Sequence, residues 1–317
     1  MRIAVMGAGA VGCFFGGRLA RAGNDVVFIA RGERLHALRE NGLRIVDNGG
    51  TTTVYPLEVT DNPVDAGIAD VVLLCVKLFD IETAIEACRP LLGPETIVVT
   101  MQNGVDCVET VARNVGAQRV VGAAVWVVAS MNGPAVVERT GAWAGIEIAA
   151  MSGESSERAD AFATLCRQAD IECTVRDDLG CMLWSKFVLL AATSATTALT
   201  RQPIGYVRED PVALATARAC IREAVTVAGA RGVTLPADIE QTAMRRLCEE
   251  MAADAKASQL VDLEHGRPLE LEYLSGAIHR MGLESNVPTP VHTTVYAALR
   301  PFLHGEALHA RSRRESA

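Results

Sequence analysis

Residues 2–12 of the chain are RIAVMGAGAVG, a short apolar run that leads directly into glycines spaced as G-x-G-x-x-G. The run Arg2–Met6 predicts a buried strand, and Val11–Ala22 predicts a helix that ends at Gly23. A second β-branched run, Asp25–Ala30, follows. This strand–turn–helix–strand context indicates a Rossmann fold, in which the pyrophosphate of a dinucleotide lies at the helix N-terminus.

Each glycine of this turn has a physical role. Gly7 allows the tight turn, Gly9 lets the backbone approach the phosphates, and Gly12 lets the helix lie close to the strand. A glycine-rich turn without a ligand is the alternative, which the flanking elements disfavour. We expect the cofactor to contact the whole turn, which consists of Gly7, Ala8, Gly9, Ala10, Val11 and Gly12.

The end of the second strand distinguishes between the two nicotinamide dinucleotides. An acidic residue there bonds the ribose 2′-hydroxyl of NAD, whereas an Arg accommodates the 2′-phosphate of NADP. This chain has Arg31 at that point and Arg34 one turn later. We therefore expect NADP(H) as the cofactor. The alternative is that Arg31 is a solvated surface cation and that Glu33 reaches the ribose.

Two further apolar runs of the first half also end in polar residues. The run that starts at residue 70 leads into Lys77, and the run that starts at residue 96 leads into Asn103-Gly104. Ligands of open α/β sheets bind beyond the carboxyl ends of the strands. We therefore expect Lys77 and Asn103 to line the same edge as Arg31. A plain strand-end cation and a plain Asn-Gly turn are the alternatives.

The second half of the chain has a different pattern. Strand signals continue through Ala135–Arg139 and Gly145–Ala149, which we expect to be antiparallel strands at the sheet edge, and they cease after about Ile171. Helix signals then follow at residues 179–199, 211–231, 236–253, 269–281 and 288–302, before a polar tail that we expect to fray. We predict an α/β Rossmann domain, residues 1–172, and an all-α substrate domain, residues 173–317, with a substrate cleft between them.

The overall composition excludes several classes of function. The formal net charge of the 317 residues is −8, which argues against nucleic-acid binding. No run of 18 apolar residues and no signal peptide are visible, so we expect a cytoplasmic protein without a membrane span. The six histidines have no metal-ligand spacing, and the nine cysteines include no C-x-x-C pair, so we expect free thiols and no metal.

Lys186 stands out in the second half because residues 181–190 around it are otherwise strongly apolar. A desolvated Lys can have a lowered pKa and act as a general acid near neutral pH. A Lys whose stem packs while its ammonium group reaches water is an equally good interpretation. Leu190 and Ser194 lie four and eight residues further on, so they share a helix face with Lys186.

A second polar group lies further along the chain, where Ser258 precedes Asp262 by four residues and Glu270 follows. The alternative for the acids near Glu270 is a solvated helix start, because acids favour the first turn of a helix.

Taken together, these residues resemble the ketopantoate reductase (2-dehydropantoate 2-reductase) family over nearly the whole chain. The resemblance lies in the turn at residues 7–12, Ala30–Leu35 followed by Leu38–Leu43, Val76-Lys77, Gln102-Asn103-Gly104, Trp184-Ser185-Lys186, and Ser258 through Asp262 to Glu270. It implies a Rossmann domain followed by a helical domain like that of 6-phosphogluconate dehydrogenase, which forms homodimers in some members. It also implies NADPH-dependent reduction of ketopantoate to (R)-pantoate in pantothenate biosynthesis.

The resemblance also implies a role for each matching residue. Lys186 would be the general acid, Asn103 would contact cofactor and substrate, and Glu270 would hold the nicotinamide ribose and orient the site. Lys77 and the backbone near Val128 would line the cofactor site. Ser258 would bind the substrate carboxylate, and Ser194 would contact the substrate.

Several positions depart from the family pattern, which has Asn where this chain has Leu190, Ser194, Ile204 and Ala255. A pocket without those amides discriminates less well in favour of a hydroxylated substrate. Three hypotheses therefore stay open: a ketopantoate reductase, a D-2-hydroxyacid dehydrogenase that acts on a more apolar branched or aromatic 2-oxo acid, and a non-catalytic NADP-binding protein.

Overall fold

The computed structural model describes residues 1–47 and 50–305 of the chain. The polar tail, which the sequence predicts to fray, lies from residue 306 onward outside the described residues. The chain divides into two compact units, Met1–Met182 and Leu183–Ala317, and the division falls inside one long helix. The α/β fold of the first part and the helical fold of the second are confirmed.

The first unit is built on one ten-stranded sheet. Its strands are β1 (Arg2–Met6), β2 (Asp25–Ile29), β3 (Leu43–Asp47), β4 (Gly50–Val54), β5 (Glu58–Thr60), β6 (Ala69–Leu74), β7 (Leu92–Thr100), β8 (Val120–Met131), β9 (Val136–Ala150) and β10 (Glu172–Val175). Its helices are α1 (Ala10–Arg21), α2 (Gly32–Asn41), α3 (Pro63–Ala66), α4 (Ile81–Cys88), α5 (Cys107–Val115) and α6 (Ser156–Gln168). The strand order is β4-β3-β9-β8-β7-β6-β1-β2-β5, and β10 pairs with β9.

The four neighbouring strands β7, β6, β1 and β2 run parallel. They are apolar runs buried on both faces, as expected where helices cover a parallel sheet. Met6 pairs with both Ile29 and Leu74, and Leu74 pairs with Thr100. The carboxyl ends of these four strands therefore lie level with one another, and the loops that follow them share one edge.

The part of the sheet formed by β9 and its neighbours differs from the sequence prediction. The two expected short strands are one strand, β9, which is antiparallel to β8 as predicted but does not form the sheet edge. The first part of β9 pairs with β3, and its second part pairs with β10, which lies beyond Ile171. These partner strands are short and partly polar, so local periodicity does not reveal them.

Helix α1 packs unusually close to the sheet. A Cβ atom on Gly16 would lie 2.7 Å from Val5 Cγ2 and 2.9 Å from Phe28 Cε1. Gly16 follows Gly12 by one helical turn, so the two glycines form a single face without side chains. Gly16 therefore allows the close packing of α1 on the sheet.

Within the described residues 183–305, the second unit contains helices and turns but no strand. The helices that reach or lie within it are α7 (Leu179–Thr200), α8 (Ile204–Glu209), α9 (Pro211–Ala230), α10 (Ile239–Arg245), α11 (Ser258–Glu264), α12 (Ser275–Glu284) and α13 (Pro290–Leu299). Two predicted helices are shorter than expected. A π-helical turn, Arg246–Glu250, follows α10, and a 3₁₀ turn, Leu271–Tyr273, precedes α12. No pattern in the sequence predicts α8 or α11.

Helix α7 is long and strongly apolar. Among the described residues it is the one helix long and apolar enough to cross a membrane, and 72% of its most apolar window is buried inside the protein. Burial of that kind is typical of the core helix of a globular domain.

A buried histidine joins α9, α12 and α13. His292 is 0% exposed, its Nε2 lies 3.1 Å from the carbonyl oxygen of Cys220, and its Nδ1 lies 3.1 Å from Ser275 Oγ. Because a carbonyl only accepts, Nε2 carries the proton and Nδ1 accepts from the Ser275 hydroxyl. Both carboxylate oxygens of Glu223 accept backbone N–H bonds, from Val291 at 2.8 Å and from His292 at 2.9 Å, at the first turn of α13.

Burial lowers the pKa of His292 from 6.5 to about 4. Below pH 6.5 the unfolded chain therefore binds a proton that the native chain does not bind, so the free energy of unfolding falls as the pH drops towards 4. We expect His292 to contribute about 3 kcal/mol to this loss. Urea unfolding of wild type and His292→Gln at pH 7, 5.5 and 4.5 measures it. The stability difference between the two proteins should shrink as the pH falls, and a constant difference would contradict the assignment.

Candidate functional site

The glycine-rich turn between β1 and α1 has three different glycine environments. Gly7 has φ +103°, and a Cβ there would lie 3.0 Å from the backbone of Cys75 and Val76. A Cβ on Gly12 would overlap the carbonyl oxygen of Gly7 and lie 2.9 Å from Val5 Cγ1. A Cβ on Gly9, in contrast, would have no atom within 4 Å. Protein packing therefore requires Gly7 and Gly12, whereas Gly9 keeps a space that the protein itself does not fill.

The N-terminus of α1 opens onto that space. Gly9 is the N-cap residue, no side chain caps the helix, and no acidic residue lies in its first turn. The N–H groups of the first turn of a helix have no partner within the helix, and they carry the positive end of its dipole. The turn therefore fits a dinucleotide pyrophosphate, which is an anion that takes several backbone N–H bonds.

Two arginines lie at the end of β2. Arg31 is exposed and is the N-cap residue of α2. Arg34 reaches back to the glycine-rich turn, where its Nη1 donates to the carbonyl oxygen of Ala8 at 2.9 Å, and its Nε is buried without a hydrogen-bond partner. Within residues 1–47 and 50–305, no carboxylate pairs with either guanidinium. Both cations therefore suit an anionic group such as the 2′-phosphate of NADP.

The loops after β6 and β7 hold the other polar residues of this edge. Lys77 and Asn103 lie in these loops, as the sequence predicts, and both side chains are half-buried. Gln102 is 5% exposed, and its Nε2 donates to the carbonyl oxygens of Leu74 at 2.7 Å and of Val76 at 3.3 Å. Gln102 therefore ties the two loops together, and its Oε1 is buried without a partner.

Sequence reasoning missed the contribution of Gln102. For Val128, only the family resemblance suggested a place at the cofactor site. The available signal for Gln102 was an amide directly after a buried strand. Val128 lies on β8 beyond the level of Gly122, which pairs with Thr100 at the end of β7, and its side chain is 49% exposed. The protruding end of β8 therefore carries Val128 past the strand ends of its neighbours.

The predicted residues of the second unit lie on three elements. Lys186 and Leu190 are half-buried on α7, and Ser194, on the same helix face, is 0% exposed. Ser258 is exposed as the first residue of α11. Glu270 is 7% exposed and directly precedes the 3₁₀ turn at residues 271–273. The structure therefore does not support the solvated helix start that was the alternative for Glu270.

Two anchors fix the turn that carries Glu270. Leu271 is fully buried. The hydroxyl of Tyr296, on α13, donates to the carboxylate of Glu272 at 2.7 Å. Both anchors directly follow Glu270 and hold its backbone in place, which is what an orienting carboxylate requires.

In the part of the chain that the structure describes, no group of His, Cys, Asp and Glu is arranged to hold a metal ion. The nine cysteines are free thiols. Burial raises the pKa of Cys13, beside the glycine-rich turn, to about 12, so this thiol stays protonated and unreactive at neutral pH.

The chain matches known proteins over most of its length. The family model described as "Ketopantoate reductase PanE/ApbA" matches residues 3–153, and "Ketopantoate reductase PanE/ApbA C terminal" matches residues 178–302. A Mesorhizobium japonicum protein named 2-dehydropantoate 2-reductase is 31% identical, over 95% of this chain and 97% of its own length.

Solved structures give the same result. The crystal structure of a PanE/ApbA family ketopantoate reductase from Ralstonia eutropha is 33% identical, with a TM-score of 0.87 over 95% of this chain and 98% of that chain. A D-mandelate dehydrogenase in complex with NADH and anilino(oxo)acetate has a TM-score of 0.88 over 95% of this chain and 98% of its own, at 20% identity, and shows a shared fold alone.

The fold and the glycine-rich turn define a dinucleotide-binding oxidoreductase. The chain belongs to the ketopantoate reductase family. It is an NADP-dependent enzyme of the class that acts on the CH–OH group of donors.

The different environments of Gly9 and Gly12 predict opposite defects. Gly9→Ala should keep the wild-type melting temperature without cofactor, because its methyl group meets no protein atom. It should weaken NADPH binding about 10- to 150-fold, the equivalent of one charge-assisted hydrogen bond. Gly12→Ala is the matched control, and it should lower the melting temperature itself. Thermal scans and NADPH titrations measure both, and unchanged NADPH affinity in Gly9→Ala would contradict a phosphate at this turn.

Proposed function

We propose that this protein reduces ketopantoate (2-dehydropantoate) to (R)-pantoate with NADPH, as a step of pantothenate biosynthesis. The observation that carries the proposal is Lys186, a half-buried lysine on the apolar helix α7 in the sequence context Trp184-Ser185-Lys186. Relatives named 2-dehydropantoate 2-reductase support the substrate. We also propose cofactor binding by residues 1–172, and substrate binding and homodimer formation by residues 173–317, in the cytoplasm.

In this proposal the reaction adds a hydride and a proton to the keto group. Bound NADPH supplies the hydride to the keto carbon. Lys186 donates the proton to the keto oxygen and stabilises the negative charge that develops there, so the C=O bond becomes CH–OH. Asn103 bonds to substrate and cofactor near the reacting carbon. Ser258 binds the substrate carboxylate by donating its hydroxyl hydrogen.

The remaining residues hold the cofactor. The turn at residues 7–12 takes the pyrophosphate on its backbone N–H groups. Glu270 accepts hydrogen bonds from the hydroxyls of the nicotinamide ribose, and Lys77 and the backbone at Val128 line the rest of the cofactor site. Arg31 pairs with the 2′-phosphate, with Arg34 beside it.

One alternative retains the chemistry and changes the substrate. A D-2-hydroxyacid dehydrogenase for an apolar branched or aromatic 2-oxo acid is favoured by Leu190 and by Ile204, which is fully buried, because neither side chain can bond a substrate hydroxyl. A panel of ketopantoate, 2-oxoisovalerate and phenylpyruvate with NADPH separates the two proposals. Equal turnover of all three would favour the alternative.

Removal of the proposed general acid should affect catalysis alone. Lys186→Ala should lower kcat about 10²- to 10⁴-fold, as expected for loss of a positioned proton donor. The dissociation constant for NADPH should change little, because Lys186 acts on the substrate. The control is Lys256→Ala, which removes an exposed Lys that pairs with Glu264 at 2.8 Å. Unchanged turnover in Lys186→Ala would remove this residue from the mechanism.

Arg31 should discriminate between the two cofactors. Arg31→Ala removes a charge-assisted bond to the 2′-phosphate and should weaken NADPH binding about 10- to 150-fold. NADH, which has no such phosphate, should bind as it does to the wild type. Fluorescence titration with both cofactors measures the effect, and Glu33→Gln serves as the neighbouring control. Equal losses for NADPH and NADH would contradict the assignment.

A further inference from the structure

Arg34 reaches from α2 into the glycine-rich turn between β1 and α1. Its Nη1 donates to the carbonyl oxygen of Ala8 at 2.9 Å. The same carbonyl oxygen accepts from the thiol of Cys13, on α1, at 3.2 Å. Ala8 and Cys13 are both buried. The Ala8 carbonyl therefore points into the protein, where donors from two different helices hold it.

The bond to Ala8 also sets the direction of the next N–H group. The peptide between Ala8 and Gly9 is planar and trans, so its C=O and N–H groups point in opposite directions. Because the C=O group points towards Arg34 and Cys13, the N–H of Gly9 points away from them. A Cβ on Gly9 would meet no atom within 4 Å, so a ligand can approach the backbone here. A rotated peptide would instead turn the Ala8 carbonyl oxygen towards an anion and repel it.

The guanidinium group of Arg34 carries a charge that the described protein does not neutralise. No carboxylate of residues 1–47 and 50–305 pairs with it, and its Nε is buried without a hydrogen-bond partner. The side chain is half-buried, and a cation that is partly withdrawn from water is stabilised by a nearby anion. A pyrophosphate at the turn, which Arg34 already contacts through Ala8, is such an anion.

We propose that Arg34 is a positioning residue for the cofactor pyrophosphate, because its bond to the Ala8 carbonyl fixes the Ala8–Gly9 peptide with the Gly9 N–H turned towards the phosphates. Arg34 then serves every dinucleotide that carries a pyrophosphate, whereas Arg31 serves the 2′-phosphate that NADPH has and NADH lacks. The proposal rests on the cofactor placement proposed above and deepens it.

The place of Arg34 on α2 links two parts of the cofactor site. Arg31 is the N-cap residue of α2, and Arg34 lies in its first turn. Helix α2 follows β2 and the glycine-rich turn follows β1, and these two strands pair in parallel with Met6 opposite Ile29. The bond from Arg34 to Ala8 therefore ties the loop that carries Arg31 to the turn that takes the pyrophosphate, and it limits how far the two can separate.

The test uses two ligands that each carry one part of the cofactor. NADH has the pyrophosphate without a 2′-phosphate, and 2′-AMP has the 2′-phosphate without a pyrophosphate. Arg34→Met should weaken the binding of NADPH and NADH alike by about 10-fold or more, the equivalent of one charge-assisted hydrogen bond. It should leave 2′-AMP binding unchanged. Arg31→Ala should show the opposite pattern. Fluorescence titration of the full-length protein measures the dinucleotides, and calorimetry measures 2′-AMP.

Arg39→Met is the matched control. Arg39 also lies on α2 and also donates to a backbone carbonyl, that of Val59, at 2.9 Å. Loss of either bond should lower the melting temperature without ligand by a similar amount, but Arg34→Met alone should lose NADH affinity. Arg34→Lys retains a cation that can donate to Ala8, so it should bind NADH more tightly than Arg34→Met. Equal NADH losses in Arg34→Met and Arg39→Met would show that Arg34 only holds α2 in place, and would overturn the proposal.

Two other outcomes are also decisive. Weaker binding of NADPH and 2′-AMP, with NADH unchanged, would show that Arg34 binds the 2′-phosphate directly, and would overturn this inference. Unchanged binding of both dinucleotides in Arg34→Met would overturn it too, and Gly9→Ala then identifies what has failed. A Gly9→Ala variant with weakened NADPH binding would leave the cofactor placement standing. A Gly9→Ala variant with unchanged binding would overturn the placement and this inference together.

Discussion

The close approach of α1 to β1 is the constraint on which the first unit depends. Gly12 and Gly16 leave no side chain between the helix and the sheet, so Val5 and Phe28 fill the space directly. This contact places the first turn of α1 at the carboxyl end of β1, where its N–H groups can serve an anion. The same packing requires glycine at position 12 and leaves position 9 open. The close packing of α1 on β1 therefore produces both a compact βα unit and a helix N-terminus that is open to an anion.

The parallel register extends that local arrangement into a site. Since Met6, Ile29, Leu74 and Thr100 end four neighbouring strands at one level, the loops that carry Arg31, Lys77 and Asn103 meet the same edge. The Gln102 amide then joins two of these loops through their backbone carbonyls. Strand register sets where the polar groups lie, and a buried side-chain bond limits how far they move.

The sequence predicts the parts of the structure that are specified locally. The glycine spacing and the apolar runs are visible in short windows, and they correctly indicate the tight turn between β1 and α1, the central strands and α7. Strand β10 and the pairing of β3 with β9 are not visible, because they depend on partners far along the chain. The contacts of Gln102 and Arg34 are hidden for the same reason. Each side chain bonds to carbonyl groups that belong to a different part of the chain.

The choice between ketopantoate and a more apolar 2-oxo acid shows why the burial of polar atoms adds information that residue types lack. By residue type alone, Leu190, Ile204 and Ala255 indicate a pocket that has lost its polar groups. Burial shows two polar atoms, Ser194 Oγ and Gln259 Oε1, without partners. Each unpartnered buried group costs about 1–3 kcal/mol, a large share of the roughly 5–15 kcal/mol that stabilises a folded domain. Residue type alone therefore understates how polar the interior of the second unit is, so the absence of the family's amides does not by itself favour an apolar substrate.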